Sequence, residues 1–194
     1  ESLENLHAID TVVVDKTGTL TYNRMTVTHI AIDADIQRET ALQINENNAD
    51  LTTEGRELLS IAALCNNASP DPEHPGEFIG DPTEGALLMF AKQYGINANI
   101  LEDVMPRVFE QPFDSVRKRM TTVHKSGNDI IAYTKGAVEE MLPLCSRILT
   151  SEGVREMTDT DRRHILNLCI NMSEQALRVL GFAKRKLEHI PENE

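Results

Sequence analysis

Tryptophan is absent from the 194 residues, and aromatic side chains make up only 4% of them. Any aromatic ring that serves a ligand is therefore one of very few. Long apolar runs are missing too; no stretch approaches the roughly 18 apolar residues of a membrane span. The three cysteines, Cys65, Cys145 and Cys169, lie far apart without metal-ligand spacing. They read as reduced, mostly buried core residues of a cytosolic protein. Basic residues are the minority, 19 Lys and Arg against 31 Asp and Glu, for a formal net charge of −12. Such a balance argues against nonspecific nucleic-acid binding, which needs a basic face. It leaves a phosphate ligand open, because a local cluster of cations can outweigh the global sign. The six histidines are scattered and form no ligand set, and no internal repeat is visible. The chain opens Glu1-Ser2-Leu3-Glu4, with neither a start methionine nor a basic leader, and so reads as a piece of something longer.

What is present begins with Thr11-Val12-Val13-Val14, a run that reads as a buried strand of a parallel sheet. It leads into Asp15-Lys16-Thr17-Gly18-Thr19-Leu20-Thr21. Asp15 then sits at the carboxyl end of the strand, where open α/β sheets place reactive groups. The small, hydroxylated and glycine residues after it permit a tight turn whose N–H groups can meet a phosphate. An aspartate in that place can attack a phosphoryl group and carry it as an acyl phosphate.

Further along, Tyr22-Asn23-Arg24 reads as a hinge and Met25 to Ile32 as a strand. Residues 33–52 read as a long surface loop with room for a short helix. Thr53 to Asn67 has helical spacing with a threonine cap, and Ser69 to Gly76, with three prolines, reads as a loop. In Gly80-Asp81-Pro82-Thr83-Glu84-Gly85-Ala86-Leu87-Leu88, Asp81 is an N-cap candidate and Pro82 fits the first helical position. Glu84 could complete a variant capping box. The helix runs to Tyr94 and stops at Gly95. Val108–Phe113, Arg119–His124 and Ile130–Thr134 read as an antiparallel meander, with a hairpin turn at Ser126-Gly127-Asn128-Asp129. Tyr133-Thr134-Lys135-Gly136-Ala137-Val138-Glu139 takes a strand into a helix at a Lys-Gly pair, with helical spacing from Ala137 to Cys145. A hairpin over residues 147–157, a long helix capped by Thr158 and a last strand over residues 177–183 follow. A polar tail from Lys184 onward is expected to fray.

The seven residues from Asp15 to Thr21 match, without a gap, the phosphorylation motif of the P-type ATPases, and the chain resembles that family of ion pumps in the haloacid dehalogenase superfamily. Related soluble phosphatases often carry a second aspartate two places after the nucleophile; here that place is Thr17, which suits a longer-lived phosphoenzyme. The resemblance implies an α+β fold: an antiparallel β-sheet flanked by helices as a nucleotide-binding domain over residues 25–194. Before it, residues 1–24 would supply the hinge and the first strand of a haloacid-dehalogenase-like α/β phosphorylation domain.

The resemblance also assigns roles. Asp15 would be the nucleophile, with Lys16 and Thr17 beside it, and Asp15 and Thr17 would be this chain's share of the Mg2+ ligands. Glu84 would accept the exocyclic amine of adenine; read locally, it caps a helix. Phe113, Lys118 and Met120 match a Phe-x4-Lys-x-Met spacing that lines the adenine site; read locally, Phe113 is core and Lys118 a solvated turn charge. The family's calcium pumps often have Arg two places after this Phe. Here it is Ser115, with Arg117 a partial substitute. Lys135 and Gly136 would lie at the mouth of the ATP pocket, although Val138 replaces the family's proline. Arg178 would reach the phosphates; the local alternative is a surface strand arginine.

The expected partners are ATP or ADP, the remainder of the same pump and, in the whole protein, a transported cation. The Gly-Asp-Pro-Thr-Glu-Gly-Ala-Leu-Leu stretch looks like the calcium-pump subgroup, which makes Ca2+ the expected ion. No later Gly-Asp-Gly motif offers further Mg2+-binding aspartates within these residues. The segment is therefore expected to bind nucleotide without turnover, as the cytoplasmic part of a multi-pass membrane protein. The competing readings are a soluble haloacid-dehalogenase-like phosphatase or phosphotransferase and a non-catalytic nucleotide-binding module.

Overall fold

A computed structural model describes residues 25–32, 35–37, 51–74 and 76–192. The Val12–Val14 strand, the Asp15 loop and the hinge lie outside the described residues, as does most of the expected 33–52 loop. In chain order the elements are β1 (Ile30–Ile32), β2 (Asp35–Gln37), α1 (Thr53–Leu64), β3 (Ser69–Pro70), β4 (Phe78–Ile79), α2 (Pro82–Gln93) and α3 (Ala98–Val104). There follow β5 (Arg107–Asp114), β6 (Arg119–Ser126), β7 (Asp129–Gly136), α4 (Val138–Met141), a 3-10 turn at Leu142–Leu144, β8 (Arg147–Thr150), β9 (Gly153–Glu156), α5 (Asp159–Glu174) and β10 (Gly181–Leu187).

The framework is a four-stranded sheet in the order β10-β7-β6-β5, antiparallel throughout. The β6–β7 connection turns through Gly127 at φ +60, as the Ser-Gly-Asn-Asp signal predicts. Side chains alternate across the pleat. Met120 and Tyr133 lie on one face with Ile131 and Phe182, and all four pack against Ile61, Leu64 and Cys65 of the α1 region. The other flank of α1 meets α2, where Leu59 and Ala63 join Leu88, Phe90, Ala91, Tyr94 and Ile30. Helix α1 is thus buried on two sides, against the sheet and against α2. Gly85 lets the Phe78 ring of β4 lie directly on α2: a Cβ there would come within 2.0 Å of that ring.

Caps set the helix starts. Thr52 accepts from the Gly55 N–H at 3.2 Å and opens α1. Thr158 and Asp161 form a reciprocal capping box on α5. Hydrogen bonds from Arg155 and from Thr158 hold the Asp161 carboxyl well below the usual carboxylate range.

Several expectations change. The strand before α1 is only Ile30–Ile32, and residues 25–29 are irregular; β2 stands where loop was expected, pairing back on β1. Helix α1 ends at Leu64, leaving Asn66 and Asn67 in a connection. The proline-rich stretch contains β3, because Ser69 and Pro70 pair with Ile79 and Phe78. The short α3, capped by Asn97, was not anticipated. The helix expected from Ala137 to Cys145 is α4 plus the 3-10 turn, which holds Pro143 at its start. The last strand begins at Gly181, not Leu177, and runs through Lys184 to Leu187, so that part of the tail is paired with β7 and not frayed. The register of β7 decides this: Gly136 pairs with Gly181 and Ile130 with Leu187.

Candidate functional site

One end of the main sheet collects the residues singled out above. Phe113 is the penultimate residue of β5, and Lys118 closes the turn into β6. Lys135 and Gly136 end β7, opposite Met120 and Arg119. Gly181, which opens β10, pairs with Gly136, so Arg178 enters the same end from the preceding segment. Antiparallel pairing is the reason: the finish of β5 and β7 and the start of β6 and β10 must coincide.

Helix α2 joins this end through its first turn. The Asp81 carboxylate accepts from the N–H of Thr83 at 2.8 Å and of Glu84 at 3.3 Å. Burial opposes its charge, but bonds from Thr83 and Glu84 and the positive charge of Arg178 hold its carboxyl below the ordinary value. Glu84 does not return to the cap, so the capping box is one-sided. Its Oε1 accepts from Lys135 Nζ at 2.5 Å and its Oε2 from the Asn67 N–H at 3.0 Å. The Lys135 and Glu84 side chains are only 10% and 16% exposed. A pair this buried needs good geometry to offset its desolvation, and this one has it.

Phe113 is 61% exposed, which removes the core reading. An exposed ring in a chain with five phenylalanines and no tryptophan is a usable stacking surface. Lys118 has φ +49 and is exposed, with its ammonium 3.2 Å from Glu140. Arg117 does not stand free beside Ser115: its Nη2 donates to the Pro112 carbonyl at 2.9 Å. Gly136 is explained by its own surroundings, since a Cβ there would meet the Lys118 carbonyl oxygen at 2.5 Å and Arg119 Cα at 2.8 Å. The backbone of β7 crosses the start of β6 too closely for any side chain. Asp15, Lys16 and Thr17 lie outside the described residues.

Sequence reasoning missed the connection after α1. Asn66, 4% exposed, donates to the carbonyls of Ala62 at 3.1 Å and Glu84 at 3.0 Å. Asn67 donates through Nδ2 to Glu110 at 2.7 Å. Nothing in two adjacent asparagines signals this, because Glu84 and Glu110 lie far away in sequence. The thiol of Cys65 donates to the Met120 carbonyl at 3.6 Å, and burial pushes its pKa up, as expected of an inert core cysteine. Asp71, His74 and Glu77 each bring one ligand atom within 4.8 Å of the others. The Asp71 carboxylate there already accepts from the Glu73 N–H and the His74 N–H and lies 3.2 Å from the His74 ring nitrogen. Among the described residues, no helix is long and apolar enough to cross a membrane.

The fold is thus an α+β domain, an antiparallel sheet packed against helices, with an exposed aromatic ring, cations and a paired glutamate at one end. The family described as P-type ATPase, cytoplasmic domain N, matches residues 54–194. The chain is 37% identical to Calcium-transporting ATPase 1 of Bacillus cereus over 99% of its own length and 21% of the relative. It is 35% identical to Calcium-transporting ATPase 1 of Saccharomyces cerevisiae, over 96% and 21%. A probable cation-transporting ATPase F of Mycobacterium bovis is 33% identical, over 93% and 21%. The chain spans about a fifth of the length of these relatives. It belongs to the P-type ATPase family, in the part that forms cytoplasmic domain N.

Proposed function

We propose that residues 25–194 bind ATP at the sheet end just described and present its γ-phosphate to Asp15, in a membrane-embedded pump whose transported cation is Ca2+. The observation that carries this reading is convergence. Phe113, Lys118, Lys135, Glu84 and Arg178 come from separate elements, yet the antiparallel register and the Glu84–Lys135 pair bring them to one end of one sheet. The groups suit the ligand. An exposed phenylalanine offers a flat face to adenine. Glu84 keeps lone pairs beyond those given to Lys135 and Asn67, and can accept the adenine amine. Lys118 and Arg178 supply positive charge toward the phosphates in a chain otherwise at −12. Residues 1–24 would open the phosphorylation domain and include the hinge. Mg2+, with Asp15 and Thr17 among its ligands, would offset charge on the transferring phosphoryl group. Calcium as the ion rests on the names of the relatives and on the Gly80–Leu88 stretch.

Radiolabelled ATP tests the chemistry. In the whole pump with its ion bound, Asp15 should take up an acid-stable, hydroxylamine-labile phosphate that Asp15→Asn abolishes. Labelling that survives Asp15→Asn contradicts the nucleophile assignment. The 194-residue chain alone should bind ATP without acquiring the label.

A further inference from the structure

Arg107 of β5 grips the loop after α1 at several points. Its Nη2 donates to the Leu64 carbonyl at 3.1 Å and the Asn66 carbonyl at 2.5 Å. Its Nη1 donates to Asn67 Oδ1 at 2.6 Å and Glu110 Oε2 at 3.0 Å. Glu110 in turn accepts from Asn67 Nδ2 at 2.7 Å, so both ends of the Asn67 amide are fixed. The guanidinium also neutralises carbonyls at the carboxyl end of α1, where the helix dipole favours a cation. A planar fork with several donors can do this at once; a single ammonium cannot.

The consequence falls on Glu84. The residues that Arg107 pins hold Glu84 twice: Asn66 Nδ2 on its carbonyl at 3.0 Å and the Asn67 N–H on its carboxylate at 3.0 Å. Arg107 itself makes no bond to Glu84. We propose that Arg107, acting through Asn66 and Asn67, is a positioning residue for nucleotide selectivity: with Lys135 holding Oε1, it fixes Oε2 and so keeps the Glu84 carboxylate in the one orientation that accepts an amine and rejects a carbonyl. The proposal rests on the reading of Glu84 as the adenine-facing acceptor. ATP carries an exocyclic amine at the base position where GTP carries a carbonyl oxygen, which a fixed carboxylate repels. A carboxylate free to turn away loses the attraction and the repulsion together.

The test is the ratio of the GTP and ATP dissociation constants, measured by calorimetry on the 194-residue chain and its variants. The wild type should favour ATP, and Glu84→Gln should bring the ratio close to one, because an amide can present either a donor or an acceptor. Arg107→Met should lower the ratio about fivefold, the worth of roughly one hydrogen bond. Arg107→Lys, which keeps the charge but not the fork, should restore only part of it. Asn67 is exposed, so Asn67→Ala keeps the fold even where Arg107→Met does not, and it should also lower the ratio. If Asn67→Ala and folded Arg107 variants keep the wild-type ratio while Glu84→Gln loses it, the positioning role is wrong and the site reading stands. Equal weakening of both nucleotides in these variants also overturns it, since that marks general damage. A wild type that binds ATP and GTP alike, or a Glu84→Gln that keeps the preference, sinks the Glu84 reading and the positioning role with it.

Discussion

Lys135 and Phe113 occupy the same end of the sheet but are held there in opposite ways, and substitution should separate them. Phe113 stands exposed, so Phe113→Ala removes little packing. Its melting temperature should stay near wild type, while ATP binding weakens by about 1–3 kcal/mol through lost stacking. A large fall in melting temperature with unchanged affinity would return Phe113 to the core. Lys135 is buried against Glu84, and Lys135→Ala leaves a carboxylate with only the Asn67 N–H. That change should weaken ATP binding and also lower stability by about 1–3 kcal/mol. His124 gives a prediction in pH. It is fully buried, bonded to the Met105 carbonyl and the Thr122 hydroxyl, and burial depresses its pKa. As pH falls below about 6.5, the unfolded chain takes up a proton that the folded chain resists. Stability should therefore fall with pH from that point, by up to about 1.4 kcal/mol per pH unit until the folded value is reached. Denaturant melts at several pH values should show that slope, and His124→Gln should flatten it.

Among the elements, those with a strong local signature were legible in the sequence and those fixed by distant partners were not. The Asp81-Pro82 start of α2, the Thr158–Asp161 box and the β6–β7 hairpin follow from caps and turn residues within four positions of each other. By contrast β3 exists only because Phe78 and Ile79 pair with it, and the start of β10 is set by the register of β7. The site divides the same way. Its family stretches marked Glu84, Phe113 and Lys135, but Asn66, Asn67 and Arg107 act through partners as many as 43 positions away. The glycine of the Lys-Gly pair also has a structural reason that no local signal reveals: the place a Cβ would take at Gly136 is filled by the Lys118 carbonyl and Arg119. Gly136→Ala must move that backbone, and Gly85→Ala must move the Phe78 ring. Thermal melts should show both destabilised by about 1–3 kcal/mol, with Gly136→Ala the worse because backbone yields less than a ring.

At the scale of the whole molecule, an acidic chain presents a local group of cations and one exposed ring at a single sheet end. On the proposed reading nucleotide meets that end with no second domain closing over its phosphates, and the expected Kd is about 0.1–1 mM. Titrating the isotope-labelled chain with ATP and following backbone amide resonances tests this most directly. The account predicts saturable shifts confined to the sheet end, at Glu84, Phe113, Lys135 and Gly136, with the far β6–β7 turn at Gly127 unmoved. Saturating ATP that leaves those four resonances in place, or moves resonances elsewhere instead, would contradict it.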